Sequence, residues 1–156
     1  MSEFTHLDES GAARMVDVAA KDVSVRTATA TGRVVVSPEV VRLLRDGALP
    51  KGDALAVARI AGIMAAKRTP DLVPLCHPIA LHGVDVDLRI DEAGVVITVT
   101  TRTADRTGVE MEALTSVCVA GLALVDMVKA VDPAAVITDI RVVEKTGGKT
   151  GTWRRP

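Results

Sequence analysis

Apolar positions recur along this chain with two periods, and Pro, Gly and Asp mark the breaks between them. Val23 to Val36 is rich in Val and Thr and partly alternates at Val23, Val25, Thr27, Thr29 and Thr31, which predicts a strand. Ser37-Pro38-Glu39 then has the order of a helix start: a hydroxyl cap, a proline at the first helical position and an acid in the first turn. This short helix spans 38–46 and stops at Gly47. Asp53 is the next cap, and Leu55, Ala58, Ile60, Ile63 and Met64 predict a second helix over 54–68, ended by Thr69-Pro70. Pro70, Pro74 and Pro78 fall four apart, so 71–78 is expected to be loop or broken turns.

Beyond the prolines, His82 to Ile90 alternates cleanly. Val84, Val86, Leu88 and Ile90 share one face, and Asp85, Asp87 and Arg89 the other. Asp91-Glu92-Ala93-Gly94 is a hairpin turn, and Val95 to Arg102 is the return strand. Glu110 to Val131 is the longest helix, ended by Asp132-Pro133, and Val136 to Val143 is the last strand. Setting the short helix 38–46 aside, the order is β-α-β-β-α-β. That is the split βαβ arrangement of a ferredoxin-like α+β fold, an antiparallel sheet with two helices on one face. Residues 1–20 carry no period and are expected to be a flexible arm, 21–146 a single domain, and 147–156 a Gly-rich basic tail.

The whole-chain figures narrow the function. At 156 residues the chain is one domain in size, and 19 Lys and Arg against 20 Asp and Glu leave a net charge of −1. No basic field exists to track a nucleic-acid backbone. Phe4 and Trp153 are the only aromatic residues. Base stacking on aromatic rings is therefore excluded, and the core must be aliphatic, with 25 Val and 22 Ala. Cys76 and Cys118 are too few and too far apart for a zinc or iron–sulfur site, and read as free thiols in a reducing compartment. The polar N-terminus is unlike a signal peptide, and the uncharged run Ala113 to Val125 is too short to span a bilayer. The expectation is a soluble cytoplasmic protein with no membrane partner.

That uncharged run lies inside the long helix, which is apolar nearly all round and so expects burial on most sides. A sheet covers one side only, which suggests that a second subunit covers another. Glu112, Asp126 and Lys129 fall within about 100° of each other around the axis, but Glu112 and Asp126 are ~21 Å apart along it. Antiparallel pairing of two such helices across a two-fold axis would bring Glu112 of one chain towards Asp126 of the other. Asp126 and Lys129 read equally as an i,i+3 ion pair near a helix end, and Glu110 and Glu112 as first-turn acids favoured by the helix dipole. What favours chemistry is their placement beside a helix expected to be buried, where ionised groups are costly. Cys76-His77 sits in a Pro-bounded loop and fits no metal spacing. The tail Glu144 to Gly151 has the look of a phosphate loop but lacks the glycine five residues ahead of Gly-Lys-Thr, where Val143 stands. Its glycines and Lys145 and Lys149 could still bind phosphate.

Several stretches go further. Thr5-His6-Leu7, Arg14 to Val18, Arg26-Thr27-Ala28, Lys51-Gly52-Asp53, Ala58 to Ile63, Ala65 to Thr69 and Pro74 to Pro78 run in order along the chain. The most specific are Thr107 to Thr115, Asp126-Met127-Val128-Lys129-Ala130 and Lys145 to Gly151. Together they resemble the molybdenum cofactor biosynthesis protein C (MoaC) family, the cyclic pyranopterin monophosphate synthases, over nearly the whole chain. The resemblance implies a ferredoxin-like hexamer, a trimer of dimers with sites between subunits. It implies a reaction that turns 3′,8-cyclo-7,8-dihydroguanosine triphosphate, supplied by a radical S-adenosylmethionine enzyme, into cyclic pyranopterin monophosphate and pyrophosphate.

By the same resemblance, Asp126 is the family's active-site acid and Lys129 its partner. Leu75-Cys76-His77 and Met111-Glu112, with Glu110 beside them, stand at substrate-binding positions, and Lys51, Lys67, Lys145 and Lys149 match lysines near the site. Nothing in it calls for a cofactor or a resident metal. One departure is Val125, where relatives often carry an aromatic residue; it bears on packing more than on chemistry. The competing reading is a ferredoxin-like module that binds a nucleotide for regulation and does no chemistry.

Overall fold

The alternating Val and Thr residues of the first strand become the centre of a five-stranded sheet in the computed structural model, which describes residues 5–156. The first four residues of the expected arm, Phe4 among them, lie outside the described residues. The elements in chain order are β1 (Ser24–Val35), α1 (Pro38–Asp46), α2 (Ala54–Ala66), α3 (Thr69–Leu72), β2 (Gly83–Ile90), β3 (Gly94–Asp105), α4 (Glu110–Val128), β4 (Val136–Thr146) and β5 (Trp153–Arg154). The sheet order is β2-β3-β1-β4-β5, and each neighbouring pair is antiparallel. β3 therefore sits between β1 and β2, and β1 between β3 and β4. These are the two interlocked split βαβ units expected of a ferredoxin-like α+β fold.

The first helix forms as its start signal dictates. The Ser37 side chain accepts from the Val40 N–H, Pro38 opens the helix, and Gly47 ends it at φ 62°, a left-handed turn that a side chain would strain. Asp53 caps α2 in the same way, accepting from the Ala56 N–H. The Thr69-Pro70 pair behaves differently from the expectation. α2 stops at Ala66, and Thr69-Pro70 opens the separate short helix α3, which takes Asp71 and Leu72 out of the expected loop. Proline is as good a first-turn residue as it is a stop signal. The Thr69 hydroxyl, fully buried, donates to the Ala66 carbonyl at 3.0 Å and closes the gap between the two helices.

The strand alternation translates into two faces. Ala28, Ala30, Val34, Val95, Ile97 and Val99 are buried on the helix side of the sheet, where Ala113, Val117, Ala120 and Leu124 of α4 meet them. Replacing the wholly buried Ile97 with Ala removes about 2–5 kcal/mol of stability. α2 lies against α4 at close range: a side chain on Gly62 would meet the Ser116 hydroxyl at 3.0 Å. By length and composition α4 could cross a membrane. In this fold it is a core helix, with nine of its residues buried against sheet and α2.

Three ends differ from expectation. β3 continues through Thr103 to Asp105 because it stays paired with the start of β1. α4 stops at Val128, and Val131 and Asp132 both donate to the Val128 carbonyl in a closing turn. β4 runs on to Thr146, with one extra residue opposite Gly32 and another between Thr29 and Ala30; Asp139, in the first of these bulges, takes φ 57°. Part of the tail also orders into the sheet, where Trp153 and Arg154 pair with Lys145 and Glu144 and Arg155 stacks on the Trp153 ring.

Candidate active site

The residues singled out in the sequence gather at the two ends of α4. At its C-terminal end Asp126 accepts from two ammonium groups, Lys129 at 2.7 Å and Lys51 at 3.3 Å. Lys51, just ahead of α2, also donates to the Asp126 carbonyl at 3.0 Å, so it caps the helix as it binds the carboxylate. The two lysines hold the Asp126 carboxyl below its usual range, Lys129 most strongly. One expectation needs correction here. Asp126 and Lys129 are not buried within the chain: their side chains are 56% and 57% exposed. The uncharged stretch ahead of them packs inward, but the helix carries Asp126 out beyond the edge of that packing.

The N-terminal end is the opposite case. Glu112 is only 2% exposed, and its visible partner is the Cys76 thiol, which donates to Oε1 at 3.8 Å. Its second oxygen has no protein partner, and neither does Glu110 Oε2. Burial, reinforced by the Glu110 charge, raises the Glu112 carboxyl to about 6. Burial and the two carboxylates raise the Cys76 thiol to about 11, so it is a protonated donor and not a nucleophile at neutral pH. Lys145 on β4 reaches Glu110 Oε1 at 3.6 Å and ties the last long strand to the helix start.

A cleft of about 500 Å³ opens at this end, lined by His6, Val73, Leu75, Cys76, His77, Thr107, Gly108, Glu110 and Met111. The side chains of the adjacent Cys76 and His77 diverge. Cys76 turns to Glu112, and the His77 ring bonds the Val16 carbonyl at 2.5 Å. Among the described residues no group of three or more His, Cys, Asp or Glu converges as a metal set would. Lys67 is exposed at the C-cap of α2, and Lys149 lines a separate cavity with Lys21, Ser24 and Gly148.

The structure thus joins Lys51, Asp126 and Lys129 in one cluster. It joins Leu75, Cys76, His77, Glu110, Met111, Glu112 and Lys145 in another. Sixteen helix positions separate Glu110 from Asp126, ~24 Å of axis, so one chain does not bring the two clusters together. Sequence reasoning missed His6 and the Val16 carbonyl, because a segment without period gives no sign of where it folds back. The signal available was chemical: His6 and Arg14 stand in an otherwise acidic stretch, and the Arg14 carbonyl does bond the His6 ring.

A fold of two split βαβ units, with acids, lysines and a histidine gathered at the helix ends, is that of a small ferredoxin-like α+β domain. Comparison with known proteins is specific. A family model described as the MoaC family matches residues 15–148. A cyclic pyranopterin monophosphate synthase of Streptomyces coelicolor is 68% identical over 152 residues, 97% of this chain and 89% of that protein. A cyclic pyranopterin monophosphate synthase 2 of Mycobacterium tuberculosis is 61% identical over 98% of this chain and 92% of its own length. One from Thermomicrobium roseum is 57% identical, covering 99% of this chain and 95% of that protein. The chain belongs to the MoaC family.

Proposed function

We propose that this chain is a cyclic pyranopterin monophosphate synthase of molybdenum cofactor biosynthesis. It is a lyase that converts 3′,8-cyclo-7,8-dihydroguanosine triphosphate to cyclic pyranopterin monophosphate and pyrophosphate. The observation that carries this reading is the 68% identity, over 97% of the chain, to a protein of that name. The substrate comes from a radical S-adenosylmethionine enzyme, and the reaction takes place in the cytoplasm.

The chemistry asks for groups of the kinds these two clusters hold. Opening a purine-derived ring and closing a pterin ring moves protons on and off nitrogen and carbon. Closing the cyclic monophosphate is an attack by a hydroxyl oxygen on the α-phosphorus. A new P–O bond forms, the bond to the bridging oxygen breaks, and pyrophosphate departs with that electron pair. Asp126, kept ionised by Lys51 and Lys129, accepts a proton, and Lys129 gives one. Glu112 and His77 hold the ring, with Leu75, Cys76 and Met111 lining its place and Glu110 orienting Lys145. Lys51, Lys67, Lys145 and Lys149 answer the charge of the phosphates.

The reading includes a composite site shared between subunits of a hexamer, a trimer of dimers. Its support is the outer surface of the helices: Met111, Thr115, Cys118 and Leu122 form one stripe along α4, and Val57, Ile60 and Met64 one along α2. Leu122 is 58% and Ile60 60% exposed in the single chain, high for apolar residues on helices of this kind. Antiparallel contact of two α4 stripes sets one chain's Glu112 end beside the other's Asp126 end.

A turnover assay with the cyclic dihydroguanosine triphosphate, following pyrophosphate and pterin product together, tests the function. Product from the native chain and a loss of at least about 100-fold in Asp126→Asn is the expected result. Tight binding without product would overturn the enzymatic reading in favour of a regulatory module, and no binding would overturn the substrate.

A further inference from the structure

The cleft at the start of α4 has one wall that neither strands nor helices supply. His6 comes to it from the segment ahead of β1. That segment is folded about a tight turn. Leu7 and Ala13 form an antiparallel bridge, the Asp8 N–H donates to the Ala12 carbonyl at 2.9 Å, and the Arg14 N–H to the His6 carbonyl at 2.8 Å. The Asp8 carboxylate closes the turn from within. It accepts from the Ser10 N–H at 2.9 Å, the Ser10 hydroxyl at 2.6 Å and the Ala12 N–H at 3.0 Å. Gly11, at φ 83°, supplies the left-handed residue that the turn needs.

The turn fixes the His6 ring as well as the backbone. Its Nδ1 lies 3.3 Å from the Arg14 carbonyl oxygen. A carbonyl only accepts, so Nδ1 carries the hydrogen and the lone pair of the neutral ring is at Nε2. Among the described residues Nε2 itself has no hydrogen-bond partner. His77, in the same lining, is held through its other nitrogen, since Nε2 bonds the Val16 carbonyl. Two carbonyls of one segment, Arg14 and Val16, thus orient two imidazoles at one cleft. The remaining polar groups are committed elsewhere. Cys76 donates to Glu112, and Glu110 is tied to Lys145 at 3.6 Å. The charged and titratable groups about the cleft are therefore Glu110 and Glu112 from α4, Lys145 from β4, Cys76 and His77 from the stretch after α3, and Arg14 of the arm itself. The Arg14 guanidinium donates back to the Thr5 carbonyl at 3.3 Å.

We propose that His6 is a catalytic residue of this cleft, a base whose Nε2 takes a proton from a nitrogen of the bound ring system and later returns it. The inference rests on the synthase reading for what the cleft holds. In this step the N–H bond breaks, its electron pair stays on the substrate nitrogen, and the proton passes to Nε2. The imidazolium that results keeps its Nδ1–H bond to the Arg14 carbonyl, so the ring need not turn between accepting the proton and giving it back. Asp126 and Lys129 stand at the far end of α4. His6 gives the near end a proton carrier from the same chain.

Turnover of the full chain with the cyclic dihydroguanosine triphosphate is the test. His6→Gln keeps a hydrogen-bonding side chain that cannot take up a proton. It should lower kcat by about 100-fold, as loss of a proton-transfer group does, and change KM less. His6→Ala should lose as much and regain part of it when imidazole is added to the buffer, which a merely structural role would not allow. His6 is exposed and outside the core, so thermal melting of both variants should match the native chain. Native-like kcat in His6→Gln overturns the proposal, and so does a loss confined to KM or one that imidazole leaves untouched. A native chain that makes no pterin product overturns the synthase reading instead. In that case the His6 ring signals in NMR, assigned by their absence in His6→Ala, decide the site: a ring unmoved by the added cyclic dihydroguanosine triphosphate overturns this proposal too.

Discussion

The two ends of α4 hold carboxylates in opposite states. Asp126 at the C-terminal end is exposed, bridges two lysines and stays ionised. Glu112 at the other end is buried, has a thiol for its partner and takes up a proton near pH 6. Two acids on one helix thus differ by environment alone, the general route by which a site separates its acid from its base. The difference extends to what surrounds each group. The exposed end has charge and no enclosure; the buried end has enclosure and an unanswered oxygen. Each supplies what the other misses.

The sharpest way to break that comparison is to remove the exposed end. Lys129→Ala should cut turnover by about 100-fold or more, as loss of a proton-transfer group does, measured by pyrophosphate release. A variant that kept near-native turnover would show that the Asp126–Lys129 pair is only a helix-end ion pair. Mixing comes next in size. Asp126→Asn and Glu112→Ala chains, unfolded and refolded together, should regain about a quarter of native activity. Half of the random dimers are mixed, and each holds one intact site of two. No recovery would place both ends in the site of a single chain.

A smaller effect concerns the stripe between the ends. Leu122 is exposed in the single chain, so under the proposed α4 contact Leu122→Glu should shift the mass in light scattering towards smaller species, since a charge at a desolvated contact is costly. If mass is unchanged, the α4 stripe is not the contact. The smallest effect is in stability. The Glu112 carboxyl is raised in the fold from about 4.5 to about 6, so its favourable contribution is complete below the unfolded value and is lost as pH rises through 6. Glu112→Gln should therefore gain roughly 2 kcal/mol above pH 7, a few degrees in Tm, and nothing at pH 4. An equal gain at both pH values would show that the carboxyl's protonation is not the cause.

Much of this fold can be read from alternation. Val84, Val86, Leu88 and Ile90 announce β2, and the thirteen uncharged residues of α4 announce a core helix. The signals that misled were those with two meanings. Pro70 ends a helix and begins one with equal ease, and only the tertiary burial of Thr69 decides which. Thr103 to Asp105 carries no strong strand signal and is held in β3 by its partner. In the candidate site, the i,i+3 spacing of Asp126 and Lys129 is local and so legible. The approach of Lys51 across 75 residues is not, nor is that of Cys76 to Glu112. Exposure was the feature read wrongly, because a helix that is apolar on average says nothing of where its last turn emerges.

The bulges of β4 bear on how the molecule avoids sticking to its copies. An outer strand is an open row of donors and acceptors that another sheet can extend. Here β4 is broken twice in register, bent at Asp139, and capped at its far end by only two residues of β5. The other outer strand, β2, alternates Asp85, Asp87 and Arg89 along its polar face. Neither border offers the long, flat, uncharged ladder on which sheets grow into fibrils. Strand-to-strand growth is disfavoured at both borders, so the sheet can stay inert along its edges while the apolar stripes of the helices lie exposed.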